Sequence, residues 1–304
     1  MVANYSTSST TPIFTPPARL VPTVSENYPF DDLSDDETAL LKEFRASHLA
    51  SILAGLSGEP LDNEGEWTND ECLLLFLKAT KWDLEASVKR LAATMQWRRE
   101  FRPTIPIPGV MEPQCKIADQ VLTGFDKRGR PVMLNKTKFG YLHKDHEGSV
   151  RFSVYLVERA IALMPRGVTK LTVVTDFEGS SMFNGFSHNV YVKFLSILST
   201  HYPERLGVAI CIRPTWYLSA LSTLIFPFMD PVTKRKLVFV KDASQDSTGK
   251  NVTAPTTNEE TGGWHDSILE FIDPDMLIRA YGGDHDFVFE HDAYWKALTE
   301  FKRV

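Results

Sequence analysis

Residues 201–214 read HYPERLGVAICIRP, which is a turn, a short apolar run and a second break. The run from Leu206 to Ile212 has the length and the aliphatic composition of a buried strand. Sequence patterns with the period of a helix lie on both sides of this strand. One covers residues 187–202, before the turn, and the other covers 216–226, after the second break. A strand between two helices is the repeating unit of an α/β sheet with helical crossovers.

The same alternation extends through the middle of the chain. The turn sequence DKRGRP at 126–131 joins two strand patterns directly, and the later strand patterns alternate with helical ones. The other expected strands and the remaining crossover helix fall at 121–125, 132–134, 171–176, 237–240 and 151–164. We therefore expect an α/β domain over residues 113–290 with a mixed or parallel sheet.

A helical unit is expected before the sheet, over residues 34–102. Ser34 and Thr68 are each followed three residues later by a glutamate, which is the spacing of a capping box at the start of a helix. The second of these helices begins CLLLFL at residues 72–77, a run that is apolar on all sides. Such a helix is buried among other helices.

The remaining segments are polar or short. Residues 1–33 are rich in Ser, Thr and Pro and lack periodicity, so we expect a disordered tail. Residues 241–266 are polar and low in complexity, which predicts a surface loop within the sheet domain. Helical sections are expected near 274–280 and in a C-terminal helix over 291–304.

The composition argues against nucleic acid binding and against a disulfide or metal framework. The formal net charge is -6 at pH 7, whereas a nucleic acid partner needs a basic face that neutralises phosphates. The cysteines Cys72, Cys115 and Cys211 lie far apart in the sequence, so we expect reduced core thiols. We expect a reducing compartment, no metal and no cofactor other than a bound ligand.

The sequence predicts neither a secretory leader nor a membrane-spanning helix. The N-terminus lacks a basic start followed by an apolar block. The most apolar long stretch, 216–229, is interrupted by polar residues and falls short of the roughly 20 residues that a span needs. A cytoplasmic protein is therefore expected.

The usual catalytic signatures are missing. The sequence has no Gly-x-Ser-x-Gly elbow, phosphate-binding loop, dinucleotide fingerprint or His-Glu-x-x-His zinc motif. His188 and His201 lie at a predicted helix, where surface or partly buried histidines are far commoner than catalytic bases. Asp176 ends a predicted strand, where active-site carboxylates occur, yet a turn or capping role is the commoner one. We therefore expect no enzymatic activity.

Five segments carry a resemblance to a known family. Three of them are HYPERLG at 201–207, DPVT at 230–233 and AYGGD at 280–284. They resemble the CRAL-TRIO lipid-binding family, and specifically its yeast secretory-pathway phosphatidylinositol-transfer proteins. The segments that look most like the sterol-binding branch named for pleiotropic drug resistance are CLLLFLKATKW at 72–82, VERAIALMP at 157–165 and AYGGD. The resemblance implies a lipid-binding sheet domain behind a small all-helical N-terminal domain.

In this family a gating segment covers the lipid pocket, and residues 216–229 match it here. Enclosure is needed because two acyl chains of about 16 carbons, at about 0.8 kcal/mol per methylene, would cost on the order of 25 kcal/mol in water. Pro214 and Pro227 punctuate the two ends of the helical part of this apolar segment, as hinges would. The resemblance assigns the gate and the adjoining pocket wall to Trp216, Leu218, Leu221, Ile225, Phe226, Phe228 and Met229.

The resemblance places the lipid headgroup at Glu204, Thr233 and Lys236. Lys236 can neutralise a phosphodiester, Thr233 can donate to a phosphate oxygen, and Glu204 can accept from inositol hydroxyls. The alternative for Lys236 is a solvated lysine in the basic run 234–236. Thr80 stands where the founding protein of the family has an arginine that helps to bind the inositol phosphate, and its hydroxyl can supply a hydrogen bond instead.

The expected pocket differs from that of the founding protein at its choline site. Met133, Leu171 and Val173 stand where that protein has a tyrosine, a serine and a threonine. A quaternary ammonium ion needs aromatic or polar contacts to offset its desolvation, and these side chains supply neither. We therefore expect that phosphatidylcholine binds poorly and that this corner of the pocket admits a sterol.

Two functions remain open. The first is transfer or presentation of phosphatidylinositol, with a sterol as a second ligand, by a protein that associates peripherally with the endoplasmic reticulum, lipid droplets or the cell periphery. The second is a lipid-sensing scaffold that presents phosphatidylinositol to a lipid kinase without bulk transfer. A hydrolytic enzyme would need a nucleophile and a base in register, and none is visible.

Overall fold

The computed structural model describes residues 9–21, 30, 32–62, 64–181, 188–214, 231–240 and 261–301. Within these residues a helical unit precedes a six-stranded sheet with the strand order β1-β2-β3-β4-β5-β6. β1 is antiparallel to β2, and each later pair of neighbours is parallel, so the sheet is mixed, as expected. The strands are β1 Gln120–Phe125, β2 Pro131–Lys136, β3 Leu171–Asp176, β4 Leu206–Ile212, β5 Leu237–Val240 and β6 Trp264–His265.

Ten α-helices are defined in the described part of the chain, and short 3-10 turns connect several of them. They are α1 Asp35–Glu43, α2 Ala50–Ala54, α3 Glu64–Trp67, α4 Asp70–Ala79, α5 Leu84–Phe101, α6 Pro108–Cys115, α7 His146–Leu163, α8 His188–His201, α9 Pro231–Arg235 and α10 His291–Glu300. A π-helical segment, Phe44–Leu49, joins α1 to α2. None of the helices described here is long and apolar enough to cross a bilayer.

The strands β1 to β5 lie where the apolar runs predict them, and α8 lies where the helical period predicts it. α7 begins at His146 rather than at Arg151. The reason is a cap: the Asp145 carboxylate accepts a hydrogen bond from the Gly148 amide at 2.9 Å. The helix expected at 216–226 lies outside the described residues.

The surface loop expected over 241–266 is wrong at its C-terminal end. Trp264 and His265 form β6 and pair with β5. The Phe239 amide donates to the Gly263 carbonyl at 2.9 Å, and the Trp264 ring packs on the Phe239 ring with a centroid distance of 5.5 Å. The open edge of β5 offers unpaired backbone groups, which a passing polar segment can satisfy whatever its composition. The part of this segment before residue 261 lies outside the described residues.

The caps of the helical unit are confirmed at Ser34 and corrected at Thr68. The Ser34 side chain accepts from the Glu37 amide at 3.3 Å, and the Ser34 amide donates to the Glu37 carboxylate at 2.9 Å. The Thr68 hydroxyl instead donates to a carbonyl one turn earlier, 2.8 Å away. Asn69 caps α4, because its side chain accepts from the Cys72 amide at 2.9 Å.

The disordered tail expected over residues 1–33 is wrong for residues 9–21, which pack on the sheet domain. The Ile13 carbonyl accepts from the Gly124 amide at 2.9 Å, and the Ile13 amide donates to the Thr123 hydroxyl at 2.9 Å. Leu20 is buried in the main core. The composition is misleading here because hydrogen bonds from β1 satisfy the tail backbone, and few apolar side chains suffice to anchor it.

The C-terminal helix expected over 291–304 corresponds to α10, which ends at Glu300. Tyr294 anchors this helix, because its hydroxyl bonds to both backbone groups of Leu122 in β1. The Leu122 amide donates to the Tyr294 hydroxyl at 2.7 Å. The helical section expected near 274–280 consists of two separate 3-10 turns, Pro274–Met276 and Arg279–Tyr281. The extended backbone between those turns prevents a continuous α-helix.

The helical unit packs on the sheet domain through α5, α7 and α8. Arg98 of α5 forms an ion pair with Glu158 of α7, and both side chains are buried. Trp97 stacks on His201 at the end of α8 with a centroid distance of 4.1 Å. These contacts fix the position of the turn that leads from α8 into β4.

Candidate functional site

The turn before β4 brings two oppositely charged side chains together at the amino-terminal edge of the sheet. Lys236 Nζ lies 3.7 Å from Glu204 Oε2. Glu204 lies just before β4 and Lys236 just before β5, and these strands are parallel neighbours. Their side chains are 17% exposed for Lys236 and 32% exposed for Glu204, so both are partly shielded yet within reach of a ligand.

The backbone of Glu204 is held in a strained conformation. Its φ is 57°, in the left-handed region that costs a residue with a side chain about 1 kcal/mol. On one side of the turn, the hydroxyl of buried Tyr202 donates to Glu158 at 2.5 Å. On the other side, the Leu171 amide donates to the Arg205 carbonyl at 2.8 Å. These contacts hold the turn and thereby set the direction of the Glu204 carboxylate.

Thr233 reaches the same edge through the backbone of α9. The Lys236 amide donates to the Thr233 carbonyl at 3.1 Å, which closes the last turn of this short helix. The Lys236 carbonyl accepts from the Ala209 amide of β4 at 2.8 Å. The structure therefore brings Glu204, Thr233 and Lys236 together at one end of β4 and β5. Their role as headgroup contacts stays a prediction.

The hydroxyl of Thr80 turns toward its own loop. Thr80 ends α4, and its Oγ1 lies 2.6 Å from Ser87 Oγ and 3.1 Å from the carbonyl oxygens of Phe76 and Leu77. A hydroxyl has one proton, and these acceptors compete for it. The headgroup contact expected of Thr80 stays a prediction.

Two basic residues that the sequence analysis did not single out lie at the same edge. Arg130 directly precedes β2 and Lys170 directly precedes β3. A Cβ placed on Gly207 would lie 2.6 Å from Arg130 Nη1, so the guanidinium reaches across to the start of β4. The sequence contains a signal for both, because a basic residue stands within two residues before each of four consecutive strand patterns.

The two faces of the sheet differ in burial. Thr172 and Val174 point to one face of β3 and are buried, with exposures of 0% and 1%. Val173 and Thr175 point to the other face and stay partly exposed. Ala209 of β4, which pairs with Val173, is also partly exposed. One face of the sheet is thus filled by core side chains, and the other retains accessible apolar surface.

The three expected pocket residues lie on that second face. Met133 pairs with Val173 in register, and Leu171 precedes Val173 by two residues, so all three point to the same side. Met133 and Leu171 are buried, and Val173 is partly exposed. The expected gate residues Trp216, Leu218, Leu221, Ile225, Phe226, Phe228 and Met229 lie outside the described residues.

Asp176 has the turn role that the sequence favours. Its carboxylate accepts from the Glu178 amide at 2.9 Å, from Arg213 Nε at 3.0 Å and from the Tyr281 hydroxyl at 3.1 Å. These contacts join the ends of β3 and β4 to a 3-10 turn. Asp176 therefore has a structural role at this turn.

His201 is partly buried, as expected, and is neutral near pH 7. Burial is the main cause that lowers the pKa of His201 to about 4, and the positive charges of Arg90 and Arg98 contribute to the same shift. Its Nδ1 lies 3.0 Å from Thr94 Oγ1, and its ring stacks on Trp97. His201 therefore packs α8 against α5. The side chain of His188 lies outside the described residues.

The cysteines are free and buried. Burial raises the pKa of Cys72, Cys115 and Cys211 to about 12, so each stays a thiol rather than a reactive thiolate. In the described ranges, no group of three or more His, Cys, Asp or Glu side chains is placed to hold a metal ion.

Comparison with known families accounts for both parts of the chain. The CRAL/TRIO domain family matches residues 119–283, and the CRAL/TRIO N-terminal domain family matches residues 37–93. This protein therefore belongs to the CRAL/TRIO family. The expected fold, a CRAL-TRIO sheet domain behind a helical N-terminal domain, is confirmed.

Similar proteins include fungal members of the family. A CRAL-TRIO domain-containing protein of Schizosaccharomyces pombe is 31% identical over 246 residues, which are 79% of this chain and 21% of that protein. The phosphatidylinositol transfer protein PDR17 of Saccharomyces cerevisiae is 30% identical over 257 residues, which are 79% of this chain and 64% of that protein. The chain thus spans less than two thirds of either relative. The crystal structure of Sfh5 shares the fold, with a TM-score of 0.52 and 20% identity over 68% of this chain and 80% of that one.

Proposed function

We propose that the protein encloses one membrane lipid, phosphatidylinositol or a sterol, on the partly exposed face of the sheet and exchanges it at membrane surfaces. Its membership of the CRAL/TRIO family and its similarity to a protein named as a phosphatidylinositol transfer protein support this function. The lipid is bound and released unchanged, so no covalent chemistry is involved. The place of action would be the cytoplasm, with transient contact to the endoplasmic reticulum, lipid droplets or the cell periphery.

The pairing of Glu204 with Lys236 is the observation that carries the proposal. A phosphatidylinositol headgroup needs a cation for its phosphodiester beside an acceptor for its ring hydroxyls. Lys236 Nζ and Glu204 Oε2 lie 3.7 Å apart and are both accessible, which suits two adjacent contacts of this kind. A choline headgroup has no hydroxyl to donate to the carboxylate. The hydroxyl groups of Thr233 and Thr80 would complete the headgroup contacts.

The apolar part of the ligand would lie against the sheet. Met133, Leu171 and Val173 form an aliphatic corner on the face that bears accessible surface. An aliphatic corner suits a sterol ring system better than a quaternary ammonium ion, which needs aromatic or polar contacts. In this proposal the segment 216–229 is the gate that covers the lipid and exchanges it.

A vesicle transfer assay tests the function. Purified protein is mixed with donor vesicles that contain radiolabelled phosphatidylinositol and with unlabelled acceptor vesicles, and label in the acceptors is counted over time. We expect transfer above the protein-free rate, and slower transfer of radiolabelled phosphatidylcholine. Stimulation of a phosphatidylinositol kinase without transfer would favour the scaffold alternative. Equal transfer of the two phospholipids would refute the headgroup selectivity.

A further inference from the structure

A row of four basic residues lines the amino-terminal edge of the sheet. Each directly precedes the first residue of one of the parallel neighbours β2, β3, β4 and β5. The row consists of Arg130, Lys170, Arg205 and Lys236. Adjacent strands lie about 4.8 Å apart, so the row is about 14 Å wide. It is therefore comparable in size to a phospholipid headgroup with its phosphate.

Three of these four cations have a partner within the protein. Arg130 Nη1 lies 3.8 Å from the Asp126 carboxylate, and Lys236 lies 3.7 Å from Glu204. Arg205 Nη1 donates to a backbone carbonyl at 3.0 Å. Lys170 differs, since no hydrogen bond or ion pair joins its side chain to another residue in the part of the chain described here.

The surroundings of Lys170 make the positive charge of its ammonium group unfavourable. Burial is the main cause that lowers the pKa of Lys170, and the positive charges of Lys236, Arg130 and Lys78 lower it further. The carboxylate of Glu204 opposes this effect only in part, because it already faces Lys236. A partly buried ammonium among like charges is stabilised when an anion binds beside it.

We propose that Lys170 is a phosphate-binding residue of the headgroup site and that it selects lipids whose headgroup is negatively charged overall. This inference rests on the proposed function and adds a contact to it. The ammonium of Lys170 and that of Lys236 would bind the same headgroup from β3 and β5, with the start of β4 between them. A zwitterionic headgroup, whose own cation neutralises its phosphate, gains less from this second lysine.

The test uses two substitutions of Lys170 and a matched control. Lys170→Gln removes the charge, and Lys170→Arg keeps it. Lys144→Gln removes an exposed charge beyond the opposite end of β2. The rate of phosphatidylinositol transfer between vesicles is measured for each variant. We expect Lys170→Gln to lower it at least tenfold, while Lys170→Arg keeps most of it and Lys144→Gln keeps all of it.

Two results would overturn the role of Lys170 without touching the proposed function. In the first, Lys170→Gln transfers phosphatidylinositol as fast as the wild type. In the second, Lys170→Arg is as slow as Lys170→Gln, which would mean that shape rather than charge matters. A wild-type protein that moves no phosphatidylinositol would instead refute the proposed function.

A calorimetric titration with glycerophosphoinositol distinguishes a lipid from a soluble ligand. This compound carries the headgroup phosphodiester without acyl chains. If Lys170→Gln abolishes its binding and leaves lipid transfer unchanged, Lys170 serves a soluble phosphate and the proposal is wrong. Loss of transfer in the same variant supports the lipid headgroup as the ligand.

Discussion

The guanidinium of Arg98 and the carboxylate of Glu158 form an ion pair that is almost fully removed from solvent, with side-chain exposures of 1% and 5%. The hydroxyl of Tyr202 donates to the same carboxylate. Tyr202 lies two residues before Glu204. The pair therefore joins the helical unit to the sheet domain and also holds the turn that presents a headgroup residue.

Removing one member of this pair should be costly. Arg98→Met leaves the Glu158 carboxylate buried without its cation, and such a change costs about 3–5 kcal/mol. The free energy of unfolding is measured by urea denaturation. Arg19→Met is the matched control, because Arg19 pairs with Asp275 at the surface, where a pair is worth less than about 1 kcal/mol. Equal losses for the two variants would contradict this account of the interface.

The Glu204 and Lys236 pair should be needed for phosphatidylinositol transfer but not for sterol binding. Glu204→Ala and Lys236→Ala should each lower phosphatidylinositol transfer at least tenfold, because each leaves a polar headgroup atom without its partner. Sterol binding, followed with a fluorescent sterol, should stay within about twofold, since a sterol has no phosphate or inositol ring. Lys116→Gln, which changes an exposed lysine at the end of α6, is the control. Parallel loss of both ligands would indicate misfolding and not a headgroup role.

The two faces of β3 should respond differently to the same substitution. Val173→Trp fills space on the face that retains accessible surface, so we expect at least tenfold weaker lipid binding and a change in stability below about 1 kcal/mol. Val174→Trp places the same ring in a position that is 1% exposed, and overpacking there should cost about 1–3 kcal/mol. Lipid binding and urea denaturation are measured for both. A Val173→Trp variant that binds lipid normally would show that this face is not the pocket.

His201 should make the fold less stable in mild acid. Its pKa is about 4 in the folded state against 6.5 for a free histidine, mainly because of burial, so the unfolded chain takes up the proton more readily. The stability from neutral His201 is complete above pH 6.5 and is lost as the pH falls toward 4. The loss should be on the order of 1–2 kcal/mol, reduced by partial exposure.

Urea denaturation between pH 7.5 and 4.5 tests this prediction. His201→Gln, which cannot titrate, should show a weaker pH dependence than the wild type. His146→Gln, an exposed histidine at the start of α7, should keep the wild-type dependence. Identical pH profiles for the wild type and His201→Gln would contradict the assignment.

Most strands could be predicted from the sequence because each is a short apolar run between clear turn signals. β3 and β4 have the bounds that their aliphatic runs indicate. β6 could not be predicted in this way, because Trp264 and His265 become a strand only through the open edge of β5. The ordered tail around Ile13 could not be predicted either, because its hydrogen bonds are made with residues more than 100 positions away.

Part of the candidate site could also be predicted from the sequence, but for a different reason. Glu204 and Thr233 lie in segments that resemble a family, and Lys236 follows the second of these segments by three residues. The resemblance therefore predicts that the three residues lie close together. Lys170 lies outside those segments and becomes noticeable only when the register of the sheet places it at the same edge. No described residue bonds to its side chain, and this is a property of packing that no local pattern records.

Native mass spectrometry of the protein, purified from its own cells without detergent, tests the central claim most directly. The account predicts a mass above that of the polypeptide by one phosphatidylinositol or one sterol per chain, and loss of that added mass in Val173→Trp. A wild-type mass equal to that of the polypeptide alone, in the same gentle preparation, would contradict the claim that this sheet encloses a lipid.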